Sequence, residues 1–203
     1  MIAIIDYGMG NLASVKNAFL KLGYEAFTTS RPDEILTADK VVLPGVGAFA
    51  DAIQNLRELG IDRTIHELVA RQTPLLGICL GLQLLFSESD ENGIHQGLDI
   101  IKGRVEKFDL PPGLKVPHMG WNQIKINPAS NLLARISSES YFYFVHSYYV
   151  VPEDEAVVAA RTDYGINFVS AIEKGRLFAT QFHPEKSSEL GLKILKNFGE
   201  MSL

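Results

Sequence analysis

The chain has 203 residues, 46% of them hydrophobic, and can bury a full core as a single domain spanning residues 1–203. A net charge of -5, with lysine and arginine unclustered, argues against binding to nucleic acid or an anionic membrane. One cysteine excludes an internal disulfide, and the sequence shows neither a signal peptide nor a membrane-length apolar run, so we expect a cytoplasmic protein.

The first third of the chain alternates between strand and helix patterns. Apolar residues at helical spacing run from Leu12 to Leu22, with Asn11 as a candidate N-cap and Gly23 as a candidate stop. Apolar runs rich in β-branched residues predict strands at residues 1–5, 24–28 and 40–43. This alternation predicts an α/β layered sheet.

The loop before the first helix contains Gly8 and Gly10, which also occur in dinucleotide-binding loops. Such a loop needs a third glycine, and Ala13 stands in its place. We therefore favour an ordinary turn between strand and helix, close to a partner surface.

The only cysteine lies at a predicted corner. Residues 74–78 predict a buried strand and residues 80–86 the start of a helix, while Gly77 and Gly81 flank Cys79 in the pattern G-x-C-x-G. This is the arrangement of a nucleophile elbow, and the N-terminus of the helix favours the thiolate. A lone cysteine in an apolar run can instead be a small core residue, but the glycines favour catalysis.

A second glycine-rich loop, P-G-V-G-A-F, follows the third predicted strand and leads into a helix that extends through Leu56. Gly45 and Gly47 would let backbone N–H groups face a thiolate and form half of an oxyanion hole, although a simple turn is the alternative. Reactive groups collect at the carboxyl ends of parallel strands, so we expect this loop beside Cys79.

The second half of the chain predicts mainly antiparallel structure. Trp121 and Met119 suggest a contact surface, with a core position as the alternative for Trp121, and we expect a structural role for His118 rather than a metal site. Strand patterns occur at residues 103–108, 141–150, 157–160, 168–172 and 177–181. Ser147 and Tyr148, within the aromatic run, are placed to line a pocket.

A histidine and a glutamate near the end of the chain complete a possible catalytic set. His183 ends a predicted strand, and two-residue alternation would place Glu185 on the same side. A cysteine nucleophile needs such a base and a carboxylate that fixes the tautomer of the base; an incidental surface pair is the alternative. Ser187 is a candidate cap for a final helix, whose apolar residues are Leu190, Ile194, Leu195 and Phe198.

Three separated motifs carry a family resemblance over nearly the whole chain. G-I-C-L-G, P-G-V-G-A-F and Q-F-H-P-E-K-S together resemble the triad, or class I, glutamine amidotransferases, which use Cys-His-Glu. A narrower set, I-I-D-Y-G-M-G-N-L, V-P-H-M-G-W-N and F-V-H-S-Y, resembles the glutaminase subunits of imidazole glycerol phosphate synthase in histidine biosynthesis. The resemblance implies a mixed, mostly parallel central sheet with helices on both faces, in flavodoxin-like layering, plus an antiparallel extension.

The resemblance also implies roles for individual residues. Cys79 would attack the side-chain amide of L-glutamine, with His183 as general acid and base and Glu185 orienting it. The implied oxyanion-hole residues are Gly45, Val46, Gly47 and Leu80. The implied substrate-binding residues are Gln83, Gly47, Ser147 and Tyr148. Because glycines permit peptide flips, we hypothesise that the loop at residues 45–47 points the wrong way in the isolated chain and leaves it nearly inactive.

The resemblance implies a heterodimer with a separate cyclase subunit, a (β/α)8 barrel that uses the ammonia to form imidazole glycerol phosphate and AICAR. The implied cyclase-facing residues are Asn11, Met119, Trp121, Tyr143 and Lys186. No cofactor or metal is implied. The alternatives are a glutaminase subunit of pyridoxal phosphate or anthranilate synthesis, against which the narrower motifs argue, and a non-catalytic protein of the same fold, against which the complete triad argues.

Overall fold

A computed structural model describes residues 1–201 and contains a twelve-stranded mixed sheet beside a separate two-stranded sheet. The strands are β1 (Ile2–Ile5), β2 (Ala26–Thr29), β3 (Lys40–Gly45), β4 (Leu75–Cys79), β5 (Phe86–Ser89), β6 (His95–Gln96), β7 (Ile101–Lys107), β8 (His118–Gln123), β9 (Lys125–Ile126), β10 (Tyr141–His146), β11 (Tyr148–Pro152), β12 (Val158–Asp163), β13 (Asn167–Lys174) and β14 (Leu177–Thr180). The helices are α1 (Leu12–Lys21), α2 (Pro32–Thr37), α3 (Phe49–Glu58), α4 (Ile61–Ala70), α5 (Leu80–Leu84) and α6 (Ser188–Glu200), and 3₁₀ turns span Glu155–Val157 and Pro184–Lys186.

The centre of the large sheet is parallel and its extension is largely antiparallel. Strands β2, β1, β3, β4 and β14 are neighbours in that order and all pair in parallel. Beyond β14, strands β13, β11 and β7 follow in antiparallel pairing, and β12 pairs with β13 and β9. Strands β8 and β10 form the small antiparallel sheet. The predicted mixed sheet with an antiparallel extension is confirmed.

Helices cover both faces of the parallel strands because these strands are apolar on both sides. Ile2 and Ile4 of β1 belong to one core cluster and Ala3 and Ile5 to the other, as alternation along a strand requires. The first cluster contains the buried side chains of α1 and α6, and the second those of α2, α3 and α4. The Asn11 side chain caps α1 by accepting a hydrogen bond from the Ser14 N–H, as predicted.

Two predicted elements differ from the structure. The aromatic run at residues 141–150 is not one strand, since it divides at Ser147 into β10 of the small sheet and β11 of the large sheet. The helix after Cys79 ends at Leu84, because Phe86 begins β5 and pairs with Ile101 of β7. A continuous apolar or β-prone run suits either arrangement, and distant pairing partners decide where it breaks.

Candidate active site

Cys79 occupies a tight turn between β4 and α5. Its backbone has φ 56° and ψ -108°, a left-handed conformation that a residue with a β-carbon rarely adopts. A β-carbon on Gly81 would lie 1.9 Å from the backbone oxygen of Leu43 in β3, so only glycine allows α5 to approach the sheet this closely. The predicted elbow geometry is therefore present.

The loop after β3 lies beside this elbow. Gly45 is the register partner of Cys79 across the β3–β4 pair, which confirms that the two turns share one edge of the sheet. Gly47 has φ +102°, a conformation suited to glycine. The buried hydroxyl of Tyr7 donates a hydrogen bond to the Pro44 carbonyl at 2.9 Å and thereby fixes the start of the loop.

His183 and Glu185 contact each other at the same edge. The Nδ1 atom of His183 lies 2.8 Å from Glu185 Oε1, and both side chains are almost fully buried. Strand alternation does not bring them together, because β14 ends at Thr180; His183 is the N-cap of the 3₁₀ turn Pro184–Lys186, and Glu185 lies within that turn. Proline lacks an N–H group and fixes φ, so Pro184 suits the first position of such a turn.

Ser187 supports this turn instead of capping α6 with its side chain. Its hydroxyl donates to the His183 carbonyl at 2.6 Å and accepts a hydrogen bond from the Tyr143 N–H at 3.0 Å. The His183 N–H in turn donates to the Tyr143 carbonyl at 2.9 Å. Ser187 is thus the N-cap residue of α6, as predicted, but its hydroxyl makes no capping hydrogen bond and instead holds the histidine against β10.

The charge state of His183 is set by three competing effects. Burial lowers its pKa, but the interactions with Cys79 and Glu185 outweigh burial and raise the pKa to about 10. Among the described residues, His183 Nε2 is a buried atom without a hydrogen-bond partner, and it lines the same pocket as Cys79. Glu185 accepts a hydrogen bond from the Nδ1–H group of His183, so Nε2 is the nitrogen that can exchange a proton with the sulfur.

A pocket of about 380 Å³ opens at this edge of the sheet. Its lining contains most residues predicted to bind substrate or stabilise an oxyanion: Val46, Gly47, Leu80, Gln83, Ser147 and Tyr148. Gly45 lies at the end of β3 and is not among the lining residues.

No group of three or more His, Cys, Asp or Glu residues within 1–201 is arranged to hold a metal ion, and no helix of that range is long and apolar enough to cross a membrane.

A family model agrees with this arrangement. The model of the class-I glutamine amidotransferases matches residues 3–201. The chain belongs to this family.

Similarity to curated amidotransferase subunits extends over whole chains. Imidazole glycerol phosphate synthase subunit HisH of Moorella thermoacetica is 56% identical, over 98% of this chain and 94% of its own length. HisH of Geobacter sulfurreducens is 52% identical, over 98% of both chains. HisH of Methanothermobacter thermautotrophicus is 55% identical, over 99% of this chain and 98% of its own.

Solved structures share the amidotransferase fold at lower identity. A crystal structure of a glutamine amidotransferase has a TM-score of 0.75 at 20% identity, covering 98% of this chain and 100% of its own. PurLQS from Thermotoga maritima has a TM-score of 0.75 at 17% identity, covering 97% of this chain and 96% of that one. At these identities the likeness establishes the fold.

Gln83 of this amidotransferase is held in one orientation. Its side-chain Nε2 donates to the Tyr148 carbonyl and to Gln181 Oε1, each at 3.1 Å. Both amide hydrogens are used, so a ligand can be bound only through the side-chain oxygen.

Three residues in or beside the pocket escaped the sequence predictions. Gln181 is buried, and its Nε2 lies 3.7 Å from Cys79 Sγ. Glu91 is a carboxylate in the pocket lining, and it accepts a hydrogen bond from the Phe49 N–H at 2.7 Å. Gln181 was detectable, since it stands in the Q-F-H-P-E motif two residues before His183. Glu91 and Tyr7 have no local signal, because only the sheet topology brings them to the site.

Most residues predicted to face a partner lie on or beside the small sheet. Met119 and Trp121 of β8 are 63% and 53% exposed, which excludes a core position for the tryptophan. Trp121 pairs with Tyr143 of β10, with ring centroids 6.2 Å apart. Lys186 is exposed on the turn that follows His183, and Asn11 is partly buried at the start of α1. The small sheet thus presents an exposed aromatic surface.

Proposed function

We propose that this chain is the glutaminase subunit of an imidazole glycerol phosphate synthase. It hydrolyses L-glutamine to glutamate and ammonia and supplies the ammonia to a cyclase subunit in histidine biosynthesis. Identity above 50% to HisH subunits over whole chains supports the pathway. The observation that carries the chemistry is the placement of Cys79 and the hydrogen-bonded pair His183 and Glu185 at one pocket.

The triad carries out two acyl-transfer steps. The Cys79 thiol gives its proton to His183 Nε2, and the sulfur attacks the side-chain amide carbon of glutamine. The tetrahedral intermediate collapses as His183 returns the proton to the leaving nitrogen, which departs as ammonia and leaves a γ-glutamyl thioester. His183 then takes a proton from water, the hydroxide adds to the thioester, and glutamate leaves as the proton returns to sulfur. Glu185 keeps the imidazole in the required tautomer throughout.

Backbone N–H groups stabilise the oxyanion of both tetrahedral intermediates. Leu80 is the first residue of α5, where N–H groups lack partners within the helix. A second donor comes from the loop of Gly45, Val46 and Gly47, which lies beside the elbow. One such donor is worth about 3 kcal/mol of barrier, so a loop that points away leaves the isolated chain nearly inactive.

The amino acid end of glutamine binds at the opposite side of the pocket. The Glu91 carboxylate and the Gln83 side-chain oxygen are acceptors suited to the α-ammonium group. The backbone of Ser147 and Tyr148 completes this part of the pocket. These acceptors favour free glutamine, which carries an α-ammonium group, over an amide compound that lacks this group.

The partner is a cyclase with a (β/α)8 barrel, and the complex is a cytoplasmic heterodimer. Ammonia released to solvent at neutral pH would become ammonium and lose its nucleophilicity, so it must pass directly to the cyclase. The exposed surface formed by Met119, Trp121, Tyr143 and Lys186, together with Asn11, is the docking site. Strand β10 connects this surface to the pocket, since the Val145 carbonyl accepts a weak hydrogen bond from Cys79 Sγ at 3.9 Å.

Glutamine hydrolysis tests the proposal. The purified chain is assayed alone, with a histidine-pathway cyclase and its nucleotide substrate, and with the synthase subunits of pyridoxal phosphate or anthranilate synthesis, with Cys79→Ala as the blank. We expect low hydrolysis alone and strong stimulation by the histidine-pathway cyclase, abolished in Cys79→Ala. Stimulation by another synthase subunit only would contradict the pathway, and hydrolysis at the blank level with every partner would contradict the glutaminase.

A further inference from the structure

A buried glutamine side chain contacts the nucleophilic sulfur and has only one possible orientation. The Nε2 atom of Gln181 lies 3.7 Å from Cys79 Sγ, and its Oε1 accepts a hydrogen bond from Gln83 Nε2 at 3.1 Å. The side chain is fully buried, so water cannot replace either contact. Because the oxygen must face the donor on Gln83, the Gln181 NH₂ group must face the sulfur.

The Gln83 donor is itself fixed by the backbone of β11. Gln83 Nε2 also donates to the Tyr148 carbonyl at 3.1 Å, and the same carbonyl lies 2.7 Å from His146 Nδ1. A carbonyl oxygen only accepts, so both neighbours must donate to it. The amide of Gln83 therefore cannot turn over without losing a buried hydrogen bond.

A pair of buried histidines completes this chain of hydrogen bonds. Asn122 Oδ1 accepts from the Gln123 N–H at 2.8 Å, so Asn122 Nδ2 is the donor to His118 Nε2 at 3.2 Å. The proton of His118 then lies on Nδ1 and is donated to His146 Nε2 at 3.0 Å, which leaves the His146 proton on Nδ1, facing Tyr148. Burial lowers the pKa of His118 to about 4 and that of His146 to about 3, so both rings are neutral at neutral pH.

We propose that Gln181 is a further catalytic residue, whose side-chain N–H stabilises the negative charge on the Cys79 sulfur after its proton has passed to His183. This inference rests on the proposed function for its role in turnover. When the sulfur attacks the amide carbon, its charge moves to the carbonyl oxygen, and the backbone donors of the elbow and the loop replace the Gln181 donor. When the thioester is hydrolysed, the charge returns to sulfur and the same N–H receives it.

Alkylation of Cys79 by iodoacetamide tests this role directly, because the chain contains one cysteine. Gln181→Met keeps the length of the side chain and removes the donor, and Gln54→Met on the exposed face of α3 is the matched control. We expect Gln181→Met to react about tenfold more slowly than wild type near neutral pH, because the charge on sulfur loses a hydrogen-bond donor. The control should follow wild type.

His183 and Tyr7 interact electrostatically with Cys79. Both residues are unchanged in Gln181→Met and in Gln54→Met. The proposal is overturned if folded Gln181→Met is alkylated at the same rate as wild type, even if its glutamine hydrolysis falls. In that case the side chain has a structural role and does not stabilise the charge on sulfur. If Gln181→Met does not fold, Gln181→Leu, which is also neutral and also lacks the donor, replaces it: slower alkylation than wild type supports the proposal, and an equal or faster rate overturns it. Alkylation needs neither glutamine nor a cyclase, so it is decided independently of the proposed pathway.

Discussion

The strained backbone of Cys79 predicts an inverted order of stability between two inactive variants. At φ 56° and ψ -108°, a residue with a β-carbon carries strain of about 1–3 kcal/mol. At an unstrained position, glycine is less stable than alanine by about 0.5–1 kcal/mol. Taking about 2 kcal/mol of strain and subtracting about 1 kcal/mol, Cys79→Gly should be more stable than Cys79→Ala by about 1 kcal/mol.

Equilibrium unfolding in urea measures this difference. Both variants lack the sulfur, so the comparison isolates the β-carbon, and linear extrapolation gives the free energy of unfolding. Ala13→Gly, at an exposed position of α1, serves as the control and should show the ordinary loss of stability. If Cys79→Ala equals or exceeds Cys79→Gly at unchanged m, the elbow is not strained and the reasoning is refuted.

Three other perturbations address the same site. Gly81→Ala should lower both the Tm and glutaminase activity, because its β-carbon would lie 1.9 Å from a backbone oxygen of β3; a normal Tm would contradict the close approach. Glu185→Gln should lower kcat by roughly two to four orders of magnitude with little change in KM, because an amide that donates to His183 Nδ1 fixes the wrong tautomer. Steady-state kinetics measure both constants, and an unchanged kcat would contradict this role of Glu185. The free energy of unfolding should fall by roughly 2–3 kcal/mol for each of His118 and His146 as the pH drops from about 6.5 toward 4, because these rings, with pKa values lowered by burial, stay neutral in the fold while the unfolded chain takes up protons. Urea titrations at several pH values would show no such fall if the rings were already charged, and His118→Gln should flatten the curve.

The sequence predicted those parts of the site that depend on local chemistry. Gly77 and Gly81 around Cys79 indicated a tight strand-to-helix turn, and the carboxyl ends of parallel strands predicted that the loop at Gly45 lies beside it. Both follow from backbone geometry that a few neighbouring residues determine. The same holds for the cap at Asn11.

The remaining parts depend on distant contacts. Residues 141–150 are uniformly β-prone, so nothing local showed that Ser147 divides them between two sheets. The contact of His183 with Glu185 comes from a turn that starts at Pro184, although strand alternation would have given the same pair. Gln181 lies in a local motif, but the orientation of its amide depends on Gln83, which is 98 residues away in the chain.

The separation of the small sheet from the large one has a mechanical consequence. Cys79 belongs to the large sheet, whereas the backbone of His183 is hydrogen-bonded to Tyr143 of the β8–β10 ribbon. The two strands of this ribbon pair with each other and not with a strand of the large sheet. A displacement of the ribbon against the large sheet would therefore move the backbone of His183 relative to Cys79, so the spacing between imidazole and sulfur depends on how the ribbon packs.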